Sequence, residues 1–319
     1  MTAAGTFIGM DEAGYGPNLG PLLLAATCWN TPEPPDRFDF QSALSPAVSA
    51  TGPDGGRCLH IADSKKVNVG KQGFASLERS ALSLIQVAGG PVHSFHELWN
   101  WLAGMRSVPA APLAPWYEAD RVLPVSSSGQ QIDELSGALQ FRMEQTGLSL
   151  TAVRGEIVVE QRFNRAALAD GSNKALALSR FAFGLLKQVW NPASSVPTLI
   201  VADKHGGRNR YDELLSEILD GEYIGRLEEG QLISRYRVGA SELRFQVNGE
   251  QHFPVACASV IAKYVRELAM QQFNDFWRGR CPGVKPTLGY PVDAKRFRAA
   301  ILPEWTALQL EDEILWRER

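Results

Sequence analysis

An α/β fold built on a mixed sheet is expected from three features of this 319-residue sequence. Two apolar runs joined by a glycine turn open the chain, strand-like and helix-like stretches alternate thereafter, and a long small-residue helix pattern comes near the end. Residues 7–10 and 21–29 read as neighbouring antiparallel strands. Prolines 32, 34 and 35 and the Ser/Ala/Gly-rich stretch after them mark 31–56 as surface loop or insertion. Residues 59–62 read as a short strand and 73–87 as a helix. One domain spanning 1–319 is expected, with an inserted subdomain or lid at about 90–150. There Phe95, Trp99, Trp101 and Trp116 mix with Pro109, Pro112, Pro115 and Pro124, and the tryptophans are expected to pack a small core of their own. Helices follow at 132–145, 173–189 and 254–277, and strands at 156–161, 198–202, 233–238 and 243–247. An amphipathic helix is expected at 305–316.

The composition, 45% hydrophobic and 21% charged, is that of an ordinary globular protein and excludes disorder over most of the chain. A net charge of −3 excludes a protein that coats nucleic acid by bulk charge, so any such contact is a local patch. Cys28, Cys58, Cys257 and Cys281 form no CxxC pair and have no histidine at ligand spacing, which disfavours zinc. Isolated cysteines and the lack of a bilayer-length apolar run place the expected protein, a monomer, in a reducing cytoplasm and away from membranes.

Asp11 and Glu12 close the first apolar run and meet Ala13-Gly14-Tyr15-Gly16-Pro17 at once. Side chains alternate along a strand, so adjacent carboxylates converge only where the strand ends and the backbone turns. Glycines 14 and 16 permit that bend and let backbone amides approach a sugar or phosphate. Asp203 ends the strand Leu199-Ile200-Val201 and precedes a basic segment, Lys204 to Arg210, which fits either a turn residue or phosphate proximity. Glu250 follows another strand after Asn248-Gly249. Ligand sites in open α/β sheets form beyond the carboxyl ends of strands, and hard oxygen donors without thiolate favour Mg²⁺ or Mn²⁺. Lys263 and Arg266, one helical turn apart, fit a solvated face as well as phosphate contact; Lys65 and Lys66 read the same way.

Taken together, these residues resemble the type II ribonuclease H family, ribonuclease HII and HIII, of which the chain looks like a divergent member. The resemblance rests on Gly9-Met10-Asp11-Glu12-Ala13-Gly14-Tyr15-Gly16-Pro17 with Gly20-Pro21, then Asp63-Ser64-Lys65-Lys66, the strand to Asp203, Ala258-Ser259-Val260-Ile261-Ala262-Lys263 with Arg266, and Gly289-Tyr290. It implies a ribonuclease H-like mixed five-stranded sheet flanked by helices, and two-metal endonucleolytic cleavage of RNA in RNA–DNA hybrids or of ribonucleotides embedded in DNA. Asp11, Glu12 and Asp203 match family carboxylates, and Glu250 falls where a fourth, normally aspartate, is expected. Gly14, Tyr15, Gly16, Ser64, Lys65, Ser259, Lys263 and Tyr290 match substrate-facing positions. Tyr15 stands where the family has arginine, and Glu250 is one methylene longer than aspartate. Those departures leave two alternatives open: a binding module of the same fold with impaired catalysis, and a nuclease of this fold acting on another structured substrate.

Overall fold

A computed structural model describes residues 4–52, 56–104, 114–169, 171 and 173–318. The expected α/β architecture is present as a seven-stranded mixed sheet with helices on both faces. Its strands are β1 (Gly5–Ala13), β2 (Leu22–Thr31), β5 (Ser149–Val158), β6 (Thr198–Asp203), β7 (Gly225–Glu229), β8 (Ile233–Val238) and β9 (Ser241–Gln246). The order is β5-β2-β1-β6-β9-β8-β7. β1 is antiparallel to β2 and parallel to β6, and β6 is parallel to β9. Antiparallel β8 and β7 extend this frame beyond β9, giving seven strands where five were expected. Every residue of β7 after Gly225 is exposed, so no buried alternation marks it in the sequence. A separate parallel pair, β3 (Val48–Ser49) and β4 (Leu59–His60), lies outside this sheet.

The helices are α1 (Phe40–Leu44), α2 (Ser64–Val67), α3 (Gly73–Val87), α4 (Phe95–Leu102), α5 (Gly129–Thr146), α6 (Glu160–Ala169), α7 (Lys174–Val189), α8 (Asp212–Ile218), α9 (Phe253–Arg280) and α10 (Pro291–Ala307). Strand alternation divides the core in two. Phe7, Leu23, Ala25, Trp29, Leu199 and Val201 pack with α3, α5 and α9 on one face, while Ile8, Met10, Leu24, Ile200, Ala202 and Phe245 pack with α7 and α8 on the other. Gly9 is what lets β1 lie against the start of α9: a Cβ there would stand 2.2 Å from the carbonyl carbon of Pro254. Small residues at Ala256, Cys257, Ala258 and Ala262 continue that close approach, all of them buried.

Several boundaries differ from expectation. The stretch 31–56 is not all surface loop, because Phe40, Leu44 and Val48 are buried and carry α1 and β3. The strand expected at 156–161 runs instead from Ser149 to Val158, and α6 begins at Glu160. No helix spans 305–316: α10 ends at Ala307 and the left-handed backbone at Gln309 (φ 53°) breaks the run before a 3₁₀ turn at 312–314.

In the Trp-rich stretch, residues 105–113, with Pro109 and Pro112, lie outside the described residues. Trp99 packs within the stretch on Phe95 and Tyr117, but Trp116, beside Tyr117, also packs on Phe273 and Trp277 of α9 and on Trp305 of α10, so this is not a separate core. Buried Glu78 of α3 fastens the same region by accepting the amides of Val125, Ser126 and Ser127 at 2.6–2.7 Å and the Tyr264 hydroxyl at 3.2 Å. Among the described residues no helix is long and apolar enough to cross a membrane.

Candidate metal and nucleic-acid site

The β1–β6 ladder ends at Met10 opposite Ala202, so Asp11 and Asp203 are the next residues on adjacent parallel strands. Residues 7 and 13 of β1 and residues 199 and 201 of β6 face α9, so the period of two puts Asp11 and Asp203 on that same face. The strand does not end at the carboxylate pair, where the sequence analysis expects the backbone to turn; it runs on to Ala13. β1 keeps its pairing with β2 through Ala13 and carries both acids, while its β6 edge opens after Met10.

Three of the acids, Asp11, Asp203 and Asp63, have distinct partners. The Ser259 hydroxyl, from the buried face of α9, hydrogen-bonds Asp11 and lies 2.9 Å from the Ser64 hydroxyl. Asp203 accepts the Gly249 amide at 2.5 Å, which ties the end of β6 to the turn bearing Glu250. Asp63 caps α2 by accepting the Lys65 amide at 2.9 Å, and this cap presents Lys65 to the acids.

The carboxylates act on one another. Burial first, then the Glu12 charge and Asp203, push Asp11 well above the usual carboxylate range, against the Ser259 hydrogen bond. Burial and then Asp203 push Glu12 up to about 7, with Lys65 opposing and Glu250 adding. Asp203 is raised by burial above all; the Gly249 amide and Lys65 pull it back, and Glu250 and Asp63 push it further. Five carboxylates thus share one field with Lys65 as its cationic neighbour, an excess of negative charge that suits a divalent cation. The donors are hard oxygens, which fit Mg²⁺ or Mn²⁺. Among the described residues no three His, Cys, Asp or Glu side chains already form a group able to hold an ion, so ligation by three of these acids calls for side-chain rotation.

The turn beyond β1 lies beside the acids. Gly14 has φ 91° and a Cβ on it would stand 2.3 Å from Nε of Arg266, so the position admits no side chain. Tyr290, 51% exposed at the start of α10, faces Gly16, where a Cβ would lie 3.9 Å from its ring. The Lys174 ammonium sits 5.0 Å from the centre of the Tyr15 ring, and the Tyr15 hydroxyl lies 3.3 Å from where a Cβ on Gly206 would be. That side of the turn opens on a cavity of about 370 Å³ lined by Asn173, Ala175 and the segment 205–210, with Arg208 and Arg210. Lys263 is engaged elsewhere, in an ion pair with Glu267 at 2.5 Å one turn along α9.

Sequence reasoning thus named eleven residues that stand around the acids and the turn, and one, Lys263, whose ammonium pairs along its own helix. It quoted Asp63 with Ser64, Lys65 and Lys66 but gave it no role, although an aspartate directly before a helix start was an available signal. It passed over Glu160 and Arg317, which lie beneath the glycine turn and carry no local signature.

No protein-family model matches the chain, and no curated protein does either. Solved structures of ribonucleases H are similar to it. The ribonuclease HII of Archaeoglobus fulgidus, in complex with PCNA, is 13% identical, with 98% of this chain and 94% of that one covered and a TM-score of 0.42. Ribonuclease H2 from Pyrococcus horikoshii is 12% identical over 97% of this chain and 92% of its own, with a TM-score of 0.42. Bst-RNase HIII in complex with Mn²⁺ is 14% identical over 98% of this chain and 66% of its own, with a TM-score of 0.39.

Proposed function

We propose that the chain is a metal-dependent endonuclease that hydrolyses RNA in RNA–DNA hybrids or ribonucleotides embedded in a DNA duplex. The observation that carries this is the convergence of Asp11 and Asp203 at the open ends of adjacent parallel strands, next to a glycine turn. Asp11, Glu12, Asp203 and Glu250 would hold Mg²⁺ or Mn²⁺. When bound, a pair of such ions supplies an activated water and a counter-charge for the leaving oxygen. Ser259 orients the Asp11 carboxylate, the Gly249 amide fixes that of Asp203, and Lys65 offsets part of their charge.

The amides around Gly14, Tyr15 and Gly16 meet the sugar and phosphate of the duplex, and the exposed Tyr290 ring covers the sugar face. Ser64 and Lys65 face the backbone, as does the rim with Lys174, Arg208 and Arg210. The partner is a duplex containing ribonucleotides, met by a cytoplasmic monomer in which residues of about 90–150 belong to the same single domain.

The test is a panel of RNA, DNA, hybrid and single-ribonucleotide duplexes with wild type and Asp11→Asn in each metal. Cleavage confined to ribonucleotide-containing duplexes and lost in Asp11→Asn is expected; activity indifferent to that substitution excludes this site. A second reading, a binding module of this fold, is favoured by the lack, among the described residues, of a ready-made three-ligand group. Tight duplex binding without turnover in either metal would select it.

A further inference from the structure

Beneath the glycine turn lies a buried ionic cluster that hydrolysis as described does not use. Arg317, only 2% exposed, donates from its guanidinium to the carbonyls of Gly14 and Pro17. Its backbone is locked to the same turn: Asn18 Nδ2 donates to the Arg317 carbonyl at 2.8 Å, and the Arg317 amide donates to the Asn18 carbonyl at 2.8 Å. Arg266, also 2% exposed, donates to the carbonyls of Leu19 at 3.3 Å and Leu288 at 3.2 Å. The Gly20 amide completes the set by donating to Glu160 at 2.8 Å.

The last residues reach this place as a strap. Asn164 of α6 donates to the Trp316 carbonyl at 2.7 Å and accepts the Glu318 amide at 2.8 Å, while the Phe163 ring lies 5.2 Å below the Arg317 guanidinium. The segment carrying Tyr290 is joined to the same turn, because the Gly289 carbonyl accepts the amides of Asn18 at 2.7 Å and Leu19 at 3.3 Å.

Peptide planarity converts this anchorage into an aim. In a trans peptide the carbonyl of one residue and the amide of the next point in opposite directions. Holding the Gly14 carbonyl on the buried guanidinium therefore turns the Tyr15 amide away from the cluster, toward the outer side of the turn. A buried guanidinium stripped of its acceptors is costly, so Arg317 and the two carbonyls hold one another in place. We propose that Arg317 is a positioning residue for the duplex-binding turn, fixing through the carbonyls of Gly14 and Pro17 the direction in which the Tyr15 amide meets the sugar-phosphate backbone. This rests on the nuclease reading of the site above.

The experiment has two arms on wild type, Arg317→Lys and Asn164→Ala. Asn164→Ala loosens the strap while leaving the buried charges in place, and it serves if Arg317→Lys fails to fold. In the first arm, hydrogen exchange is followed by mass spectrometry in the metal-free chain. The amides of residues 15, 16 and 18–20 should exchange about tenfold faster in both variants, a change of about 1.4 kcal/mol in local opening. In the second arm, KM for the cleaved duplex should rise about tenfold with kcat held within about threefold, the mark of lost binding. Unchanged exchange, or faster exchange with KM unchanged, overturns the assignment; so does a fall in kcat alone. Should wild type cleave no duplex in either metal, the nuclease reading fails, and the exchange arm still decides whether Arg317 holds the turn.

Discussion

Asp11 and Asp203 stand side by side facing α9, each raised by burial and by its acidic neighbours, so the metal-free site is a store of repulsion. Removing one charge should relieve the fold while destroying the chemistry. Asp11→Asn is expected to lose at least about a hundredfold in metal-dependent cleavage and, in EDTA, to melt a few degrees above wild type. Unchanged cleavage or a lower melting point would contradict this. Glu160 gives a second prediction. Burial raises its carboxyl from 4.5 to about 7 despite Arg317, the Gly20 amide and Arg266. Between those values the folded state takes up a proton that the unfolded state releases, so the stability from this group is complete below about 4.5 and is lost as pH rises through about 7. Glu160→Gln stays neutral and should therefore gain in melting temperature relative to wild type between about pH 5 and 8. A relative loss over that window would mean that the two guanidiniums keep the carboxylate ionised. Neither Glu160 nor Arg317 was legible in the sequence, because Glu160 meets Gly20 across 140 positions and Arg317 meets Gly14 across 303. Asp11 and Glu12 were legible because a carboxylate pair beside a glycine turn is a local pattern.

At the scale of elements, the two contacts that frame the site should be sensitive to single atoms. Gly9→Ala drives a methyl into the backbone of Pro254 and Val255 at the start of α9, where neither neighbour is a yielding side chain. A loss of about 1–3 kcal/mol is expected from chemical denaturation, and an unchanged midpoint would show that α9 can slide. Glu78→Ala removes the acceptor of three amides at 125–127 and of Tyr264, so it should cost several kcal/mol at about 1–3 kcal/mol per orphaned group. Long elements with a strong apolar period were readable: the helix at 73–87 coincides with α3, and the opening strands pair as expected. Misread elements lacked that signal. β7 has no buried face, and β5 changes its buried phase between Leu150 and Val153, at the register shift against β2, so no unbroken period of two marks it. Where helix α10 ends is set by one left-handed residue, Gln309, which is not a glycine and so gives no warning.

At the scale of the whole molecule, the sheet brings together acids from three distant parts of the chain, while its last residues close over the turn from below. Parallel pairing of β1 with β6 and of β6 with β9 is what places 11, 203 and the 248–250 turn at one sheet end. The sequence indicated that each acid follows a strand, but the order of strands is a long-range property that periodicity does not carry. The tryptophan-rich stretch shows the same limit: its aromatic composition was plain, yet Trp116 packs on α9 and α10. The central claim is that these acids hold divalent ions together. Calorimetric titration of Mn²⁺ into the metal-free protein at about pH 6.5, in buffers of different ionisation enthalpy, tests it most directly. The expected result is saturable binding that releases protons, as raised carboxylates must on ligation, and that disappears in Asp203→Asn. Absence of binding, or binding that survives both Asp11→Asn and Asp203→Asn, would contradict the account.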